Sequence, residues 1–232
     1  MQIWVINPNS TQSMTDKIGD AARRVARPDT VITTRTGEGA PASIEGHADE
    51  AMSLPGLLSA VREAEAAGAD GIVVACFDDP GLGACRELAS GPVLGICEAA
   101  AKAASSIATS FSVVTTLPRS VPIVEEAMRR YGTDHQCRKV RAATVPVLGL
   151  EEPGSDARMK VRDEIRRAVE EDGCEAVILG CAGMADLVQW LSDETGVPVI
   201  DGVAVATTMV EALAAAGLGT SKVGAYAPPN PK

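Results

Sequence analysis

The segments "GIVVACFDDPGL" (residues 71–82) and "AVILGCAGMADL" (residues 176–187) decide the fold. Each is a short apolar run that ends at a cysteine and then gives way to small, turn-forming residues. This pattern is typical of a buried strand followed by a turn. The two cysteines, Cys76 and Cys181, are 105 positions apart.

The same interval relates other positions on either side of the two segments. Gly68 and Gly173 are 105 positions apart, as are Leu82 and Leu187. Upstream, "WVINPNST" (4–11) resembles "SVVTTLPRS" (112–120). Matching segments at one fixed interval indicate a duplicated structural unit.

Strand and helix patterns alternate along the chain. The predicted strands are 3–6, 31–36, 71–76, 93–96, 112–116, 140–145, 176–181 and 197–200, and predicted helices include 14–25, 57–67, 123–131, 157–171 and 203–216. Such alternation predicts an α/β fold with parallel sheets flanked by helices. With the repeat, it predicts two pseudo-symmetric lobes, each a mostly parallel sheet, with the active site in the cleft between them. We expect the first lobe to span 1–97 plus 205–232 and the second 98–204.

Right-handed crossovers place the carboxyl ends of the strands along one sheet edge, where ligands bind. Cys76 and Cys181 both follow such ends. The alternative for strand-end cysteines is simple burial in the core, and the matched position in both repeats counts against it. The other four cysteines are expected to be buried small side chains: Cys85, Cys97, Cys137 and Cys174.

Composition and charge narrow the possible partners. The 232 residues are 46% hydrophobic and 22% charged, as in ordinary globular proteins. The net charge of −10 makes nucleic acid and anionic membranes unfavourable partners. No apolar run approaches the about 18 residues of a membrane span, and the N-terminus has the pattern of a strand rather than a signal peptide. We therefore expect a cytoplasmic protein.

Metal and disulfide chemistry have little support in the sequence. No two cysteines form a Cys-x-x-Cys pair, the usual spacing in zinc ribbons and thioredoxin-like proteins. His135 and Cys137 are close, but no further ligands cluster near them. We predict no metal and no cofactor.

Two thiols that face each other across a cleft can move a proton. A cysteine thiol has a pKa of about 8.5, so a small fraction of it is thiolate at neutral pH. A thiolate on one side can take a proton from a carbon next to a carbonyl, while a thiol on the other side returns one. Backbone N–H groups in the turns can stabilise the enolate oxygen. This operation inverts a stereocentre.

The sequence resembles the aspartate/glutamate racemase superfamily and, within it, the hydantoin and allantoin racemases. The resemblance covers essentially the whole chain and is carried by "INPNST" (6–11), "PASIEGHADEA" (41–51), "ACFDDPGL" (75–82), "FSVVTTLPRSVP" (111–122), "EDGCEAVILGCAGMADL" (171–187), "GVPVIDGV" (196–203) and "TSKVGAYAPP" (220–229). It implies a cofactor-independent two-base mechanism with Cys76 and Cys181 as the catalytic pair, a small-molecule substrate and a homo-oligomer.

The residues after each cysteine depart from the amino-acid racemases of that superfamily. Those typically have Cys-Asn-Thr and Cys-Thr-His, whereas this chain has Cys76-Phe77-Asp78 and Cys181-Ala182-Gly183. The polar groups that hold a free amino acid are missing. The apolar ring of Phe77 and the small residues Ala182 and Gly183 fit a neutral, flat heterocycle. A 5-substituted hydantoin is such a molecule, and allantoin is one example.

Several residues near the predicted strand ends are candidates for substrate binding. Phe77, Ala182 and Gly183 flank the cysteines. Asn9 and Ser10 follow the first strand, where the alternative role for Ser10 is to cap the next helix. In the second lobe the equivalent place is occupied by Thr115 and Thr116.

The aspartates beside Cys76 give the two thiols different surroundings. Negative charge at Asp78 and Asp79 disfavours a thiolate at Cys76, while Ala182 and Gly183 add none beside Cys181. We therefore expect Cys181 to be the resting thiolate. The alternative is that the aspartates cap a helix and point away.

Other functions remain open at this point. A one-cysteine decarboxylase or a cis–trans isomerase of the same superfamily is one alternative. A non-catalytic duplicated α/β ligand-binding protein is another. A thiol redox protein is the third, and it would need Cα atoms of the two cysteines within about 7 Å.

Overall fold

The structure, a computed structural model, describes residues 1–150, 152 and 154–230. Strands and helices alternate along this part of the chain. The strands are β1 (Gln2–Asn7), β2 (Val31–Thr36), β3 (Gly71–Val74), β4 (Val93–Gly95), β5 (Phe111–Thr115), β6 (Cys137–Ala142), β7 (Ala176–Leu179) and β8 (Val199–Ile200). The α-helices are α1 (Gln12–Val25), α2 (His47–Ala66), α3 (Leu82–Leu88), α4 (Ile96–Ile107), α5 (Val121–Arg130), α6 (Ala157–Arg167), α7 (Val188–Thr195) and α8 (Gly202–Ala215).

The strands form two four-stranded parallel sheets with the same strand order. The first sheet runs β2-β1-β3-β4 and the second runs β6-β5-β7-β8. Each strand of the second sheet therefore has a counterpart four strands earlier. The α/β fold with two similar lobes, predicted from the repeat, is confirmed.

Each sheet has a switch point, where the connections that follow two neighbouring strands lead toward opposite edges of the sheet. In the first sheet this lies between β1 and β3, and in the second between β5 and β7. Open α/β sheets bind ligands in the crevice at such positions, beyond the carboxyl ends of the strands. The residues that follow these four strands are therefore the ones best placed to form a site.

The alternation of side chains along β1 explains how the core is divided. Ile3 and Val5 point to a core that also contains Phe111 and Val113 of the second sheet. Trp4 and Ile6 point the opposite way, to a separate core beneath α2 and α3. Successive residues of a strand face opposite sides of a sheet, so one face of each sheet contributes to a core shared by both.

Helices α4 and α8 pack against each other and connect the two sheets. Helix α8 also packs on α1 and β3, and α4 packs on β7. The start of α8 is fixed by Asp201, whose carboxylate accepts hydrogen bonds from the backbone N–H groups of Val203 (2.9 Å) and Ala204 (3.2 Å). The division into 1–97 plus 205–232 and 98–204 stays a prediction, and residues 231 and 232 lie outside the described residues.

Some element boundaries differ from the sequence-based expectation. Strands β3 and β7 end two residues before Cys76 and Cys181, because β4 and β8 are short and pair only as far as Val74 and Ile178. Helix α3 begins at Leu82, and Pro80 lies in the turn that links Cys76 to this helix.

Helix α2 begins at His47, ten residues before the predicted start, and continues through Pro55. A proline inside a helix removes one backbone hydrogen bond and usually signals a boundary. Among the described residues, no helix is both long and apolar enough to cross a lipid bilayer.

Candidate active site

A cavity lies where the two sheet edges face each other, beyond the carboxyl ends of β1, β3, β5 and β7. Its space free of protein atoms is about 420 Å³, including the opening to solvent. The lining residues are Asn9, Met14, Ile44, Ala75, Cys76, Phe77, Asp78, Thr115, Thr116, Ser120, Val147, Gly180, Cys181 and Ala182.

The turn after β3 positions Cys76. The N–H group of Ala75 donates to the carbonyl of Ile6 (2.8 Å), which continues the pairing with β1 for one residue. The chain then turns sharply, and the N–H group of Asp79 donates to the carbonyl of Cys76 (3.1 Å). Asp79 adopts a positive φ of 49°, a conformation that aspartate tolerates better than most residues.

Asp79 holds this turn against two other elements. Its carboxylate accepts hydrogen bonds from the backbone N–H groups of Cys97 (3.1 Å) and Glu98 (2.9 Å) at the start of α4. The Tyr131 hydroxyl, at the end of α5, donates a third at 2.6 Å. Burial raises the pKa of Asp79 to about 7 against the lowering effect of these donors.

The surroundings of Cys76 disfavour its thiolate. Burial raises the pKa of the Cys76 thiol well above its usual range, and the charge of Asp78 raises it further. The backbone N–H group of Asp78 donates to the sulfur and lowers this pKa in part. The Cys76 environment therefore favours the neutral thiol.

Cys181 occupies the matching position after β7. The N–H group of Gly180 donates to the carbonyl of Val114 (2.8 Å), as Ala75 does in the first sheet. Cys181 has extended backbone and precedes a short 3-10 turn, Ala182–Met184, in which the N–H group of Met184 donates to the Cys181 carbonyl at 3.2 Å. The two sulfurs thus reach one cavity from equivalent turns of the two sheets.

Asn9 presents an amide donor to the cavity. Its side-chain oxygen accepts hydrogen bonds from the Asn7 amide (2.8 Å) and from the Thr11 N–H group (2.9 Å). Its Nδ2 atom contacts the thioether sulfur of Met14 at 3.0 Å. Thioether sulfur is a weak acceptor, so this buried donor has capacity for a better one.

The second sheet contributes hydroxyl groups. Thr115 donates to the carbonyl of Gly180 (3.1 Å), which ties β5 to the residue before Cys181. The side chains of Thr116 and Ser120 line the cavity and make no hydrogen bond to any of the described residues. Both hydroxyls are therefore available to a ligand.

The residues proposed from the sequence do not all reach the cavity. Cys76, Cys181 and the candidates Asn9, Phe77, Thr115, Thr116 and Ala182 line it. Ser10 is exposed outside it, and its N–H group donates to the carbonyl of Pro41 (3.0 Å). Gly183 lies behind Cys181, where an added Cβ atom would be 3.7 Å from the Cys181 sulfur. The functional roles of these residues stay predictions.

Sequence reasoning did not select Ser120 or Ile44 as site residues. Ser120 lies in the "SVVTTLPRS" segment, whose match to "WVINPNST" was the available signal. Ile44 comes from the irregular stretch before α2, and the available signal was the lack of periodicity in that stretch, which is typical of a segment that covers a cleft. Among the described residues, no group of three or more His, Cys, Asp and Glu side chains is placed to hold a metal ion.

The chain matches known proteins over its full length. The family model described as Asp/Glu/hydantoin racemase matches residues 3–210. A hydantoin racemase of Rhizobium meliloti is 54% identical over 232 residues, which covers 100% of this chain and 96% of that protein.

Solved structures agree with this match. The allantoin racemase of Klebsiella pneumoniae superimposes with a TM-score of 0.98 at 49% identity and covers 100% of this chain and 95% of that chain. The allantoin racemase AllR of Pseudomonas fluorescens gives a TM-score of 0.96 at 38% identity, with 100% of this chain and 98% of that chain covered.

Proposed function

The chain belongs to the Asp/Glu/hydantoin racemase family and is an isomerase of the racemase class, and from that premise we propose that it inverts C5 of a 5-substituted hydantoin by proton transfer between Cys76 and Cys181. The observation that carries the proposal is the presence of both cysteines in the lining of one cavity, each on the equivalent turn of a duplicated sheet.

The reaction requires one thiolate and one thiol on opposite faces of the ring. The thiolate removes the C5 proton and becomes a thiol, and the C5–H electron pair is delocalised into the adjacent C4 carbonyl. The opposite thiol then donates its proton to the other face of C5 and becomes the thiolate. Charge and protons balance without a cofactor, because the carbonyl beside C5 stores the electron pair. The enzyme returns to its starting protonation state when the two sulfurs exchange a proton with solvent.

Donors around the cavity suit the oxygen that gains charge in this step. The Asn9 amide has only a weak acceptor in Met14, and the hydroxyls of Thr116 and Ser120 make no hydrogen bond to the described residues. Preorganised donors aimed at a developing oxyanion lower the barrier of such reactions. We assign these three side chains to the two ring carbonyls.

The lining of the cavity and the relatives support a hydantoin as the substrate. Phe77 and Ala182 supply apolar walls, which suit a neutral five-membered ring better than a charged amino acid. The similar proteins are a hydantoin racemase and two allantoin racemases, and allantoin is itself a hydantoin with a ureido group at C5.

The surroundings of Cys76 support the assignment of Cys76 as the resting thiol, and hence of Cys181 as the thiolate in the proposed pair. Burial and the charge of Asp78 both raise the pKa of Cys76. Thiolate absorbance near 240 nm, titrated in Cys76→Ser and Cys181→Ser proteins, measures this directly. A lower pKa in the protein that keeps only Cys76 would show that the assignment is reversed.

The mechanism is tested by following optical rotation of single hydantoin enantiomers in deuterated water. We expect loss of rotation coupled to deuterium incorporation at C5 in the parent protein. We expect a fall in racemisation of at least about a thousandfold in either serine variant, since each lacks a proton donor or acceptor that the cycle needs. Cys85→Ser is the matched control, because Cys85 is buried away from the cavity.

Full racemase activity after replacement of either cysteine would refute the two-thiol assignment. Rotation loss without deuterium uptake would refute proton exchange with solvent-equilibrated thiols. The homo-oligomeric state and the cytoplasmic location stay predictions.

A further inference from the structure

Asp78 places a buried carboxylate in the cavity. The residue is 8% exposed and lines the same space as the two sulfurs. Within the part of the chain that the structure describes, no hydrogen bond to this carboxylate is formed, and its side chain borders the cavity. Buried carboxylates are costly unless they are hydrogen-bonded or paired, so the missing donor needs an explanation.

The neighbouring Asp79 shows what a structural carboxylate looks like at this turn. It accepts hydrogen bonds from Cys97, Glu98 and Tyr131 and lies outside the cavity lining. The two adjacent aspartates therefore differ in function. Asp79 anchors the turn, and Asp78 faces the ligand space without a described partner.

Charged and titratable groups lie near Asp78, but none of those described forms a hydrogen bond with its carboxylate. Glu50 and His47, on the first turn of α2, and Cys76 and Cys97 all interact with it electrostatically. Burial and Glu50 raise the pKa of Asp78 to about 6, and His47 acts in the opposite direction. The carboxylate is thus mostly ionised at neutral pH and lacks a donor.

Asp78 lies where a substituent on C5 would leave the space between the sulfurs. In the proposed reaction the ring lies between the two sulfurs, so a bulky C5 group must project away from them toward other residues that line the cavity, of which Asp78 is one. Asp78 is two residues from Cys76 and lies on the side of the exposed first turn of α2, with its backbone N–H group on the Cys76 sulfur. The matching position in the second lobe is Gly183, which has no side chain.

We propose that the Asp78 carboxylate accepts a hydrogen bond from an N–H group in the C5 substituent, and so selects hydantoins that carry a nitrogen donor there, such as a ureido group. This rests on the proposed function of the same site. A ureido N–H supplies the missing donor. An alkyl group covers the carboxylate without supplying one, and leaving a buried charge unpaired is a strong form of discrimination.

The test compares two substrates in the parent protein and in Asp78→Asn. The substrates are allantoin, with a ureido group at C5, and 5-isobutylhydantoin, with an alkyl group. In the variant we expect kcat/KM for allantoin to fall about 10- to 100-fold relative to kcat/KM for 5-isobutylhydantoin. Loss of the Asp78 charge also changes the pKa of Cys76, but that effect acts on both substrates alike and cancels in the ratio. Glu50→Gln is the control, since it removes the same charge nearby without altering the cavity lining.

The ratio of the two kcat/KM values does not depend on the fraction of active protein. Circular dichroism and a thermal melt establish whether Asp78→Asn is folded. If it is not folded, the same comparison is made with Asp78→Ser. A folded variant that loses activity equally with both substrates, or that keeps full activity with allantoin, overturns the selection proposal. A parent protein that racemises neither hydantoin would instead refute the proposed function, and this selection with it.

Discussion

At the scale of single residues, Asp79 and Gly95 together fix the turn that carries Cys76. A Cβ atom added at Gly95 would lie 2.1 Å from the Asp79 carboxylate, far inside van der Waals contact. Only glycine leaves room for Asp79 to reach the backbone N–H groups at the start of α4. The position of Cys76 therefore depends on a residue that never touches the cavity.

We expect Gly95→Ala to displace Asp79 and destabilise the protein. Overpacking of this kind costs about 1–3 kcal/mol, and the loss of hydrogen bonds to Asp79 adds to it. The free energy of unfolding from urea titration and the racemase kcat should both fall. Gly83→Ala is the control, because a Cβ atom there meets nothing within 4 Å and alanine favours the helix. An unchanged kcat in folded Gly95→Ala would contradict this account.

The sequence identified those cavity residues that are marked by a pattern in the neighbouring sequence. The repeated strand-and-turn pattern identified the cavity positions of Cys76 and Cys181, and the turn after β1 identified Asn9. It did not separate Asp78 from Asp79, because their different surroundings come from α2, α4 and α5, which are distant in sequence. It placed Ser10 in the site, although the chain has already turned away from the cavity there.

At the scale of elements, β6 is held to α6 by one buried arginine. Arg141 is 4% exposed, and its guanidinium contacts Asp172 (2.5 Å), Glu171 (2.7 Å) and Glu164 (3.1 Å). A hydrogen bond from Arg141 is the largest cause that lowers the pKa of Asp172. The charge of Arg141 thus stabilises the carboxylates that surround it.

We expect Arg141→Met to destabilise the protein by about 3–5 kcal/mol at pH 7, because it removes the cation that contacts the buried Asp172 carboxylate. The pKa of Asp172 is lowered in the folded state, so its contribution is present above the unfolded pKa and is lost as pH falls through the folded one. The difference in unfolding free energy between parent and variant should therefore shrink toward pH 3. Arg138→Met, at an exposed position of the same strand, is the control. A difference that stayed constant with pH would contradict the ionic explanation.

The sequence predicted the order of the elements better than their ends. No bounds are predicted for the short helices α3 and α7, because seven or eight residues carry too little periodicity to stand out from a turn. The predicted strand at 140–145 shifts to Cys137–Ala142 in the structure. Arg141 looks like an exposed residue in its own segment, and its burial follows only from carboxylates that another element supplies.

At the scale of the whole molecule, the two sheets share one hydrophobic core. Ile3 and Val5 from the first sheet and Phe111 and Ile178 from the second belong to the same cluster, together with Val203 of α8. Separate clusters lie on the outer face of each sheet. If one sheet unfolds and exposes its inner face, the inner face of the other sheet is exposed to water as well.

We therefore expect one cooperative unfolding transition despite the duplicated architecture. Scanning calorimetry should show a single peak with a calorimetric enthalpy close to the van't Hoff enthalpy. In Arg141→Met, whose change lies in the second sheet, the whole peak should move to lower temperature without splitting. Two resolved peaks in either protein would contradict a shared core.

The unlike residues Asp78 and Gly183 at matched positions have a kinetic consequence. Mirror-image substrates have equal free energy in water, so the equilibrium constant between them is one. The Haldane relation then requires equal kcat/KM for the left- and right-handed forms, however different the two halves of the protein are. The asymmetry can therefore appear only in the separate values of kcat and KM. The enantiomer with the lower KM must also have the proportionally lower kcat.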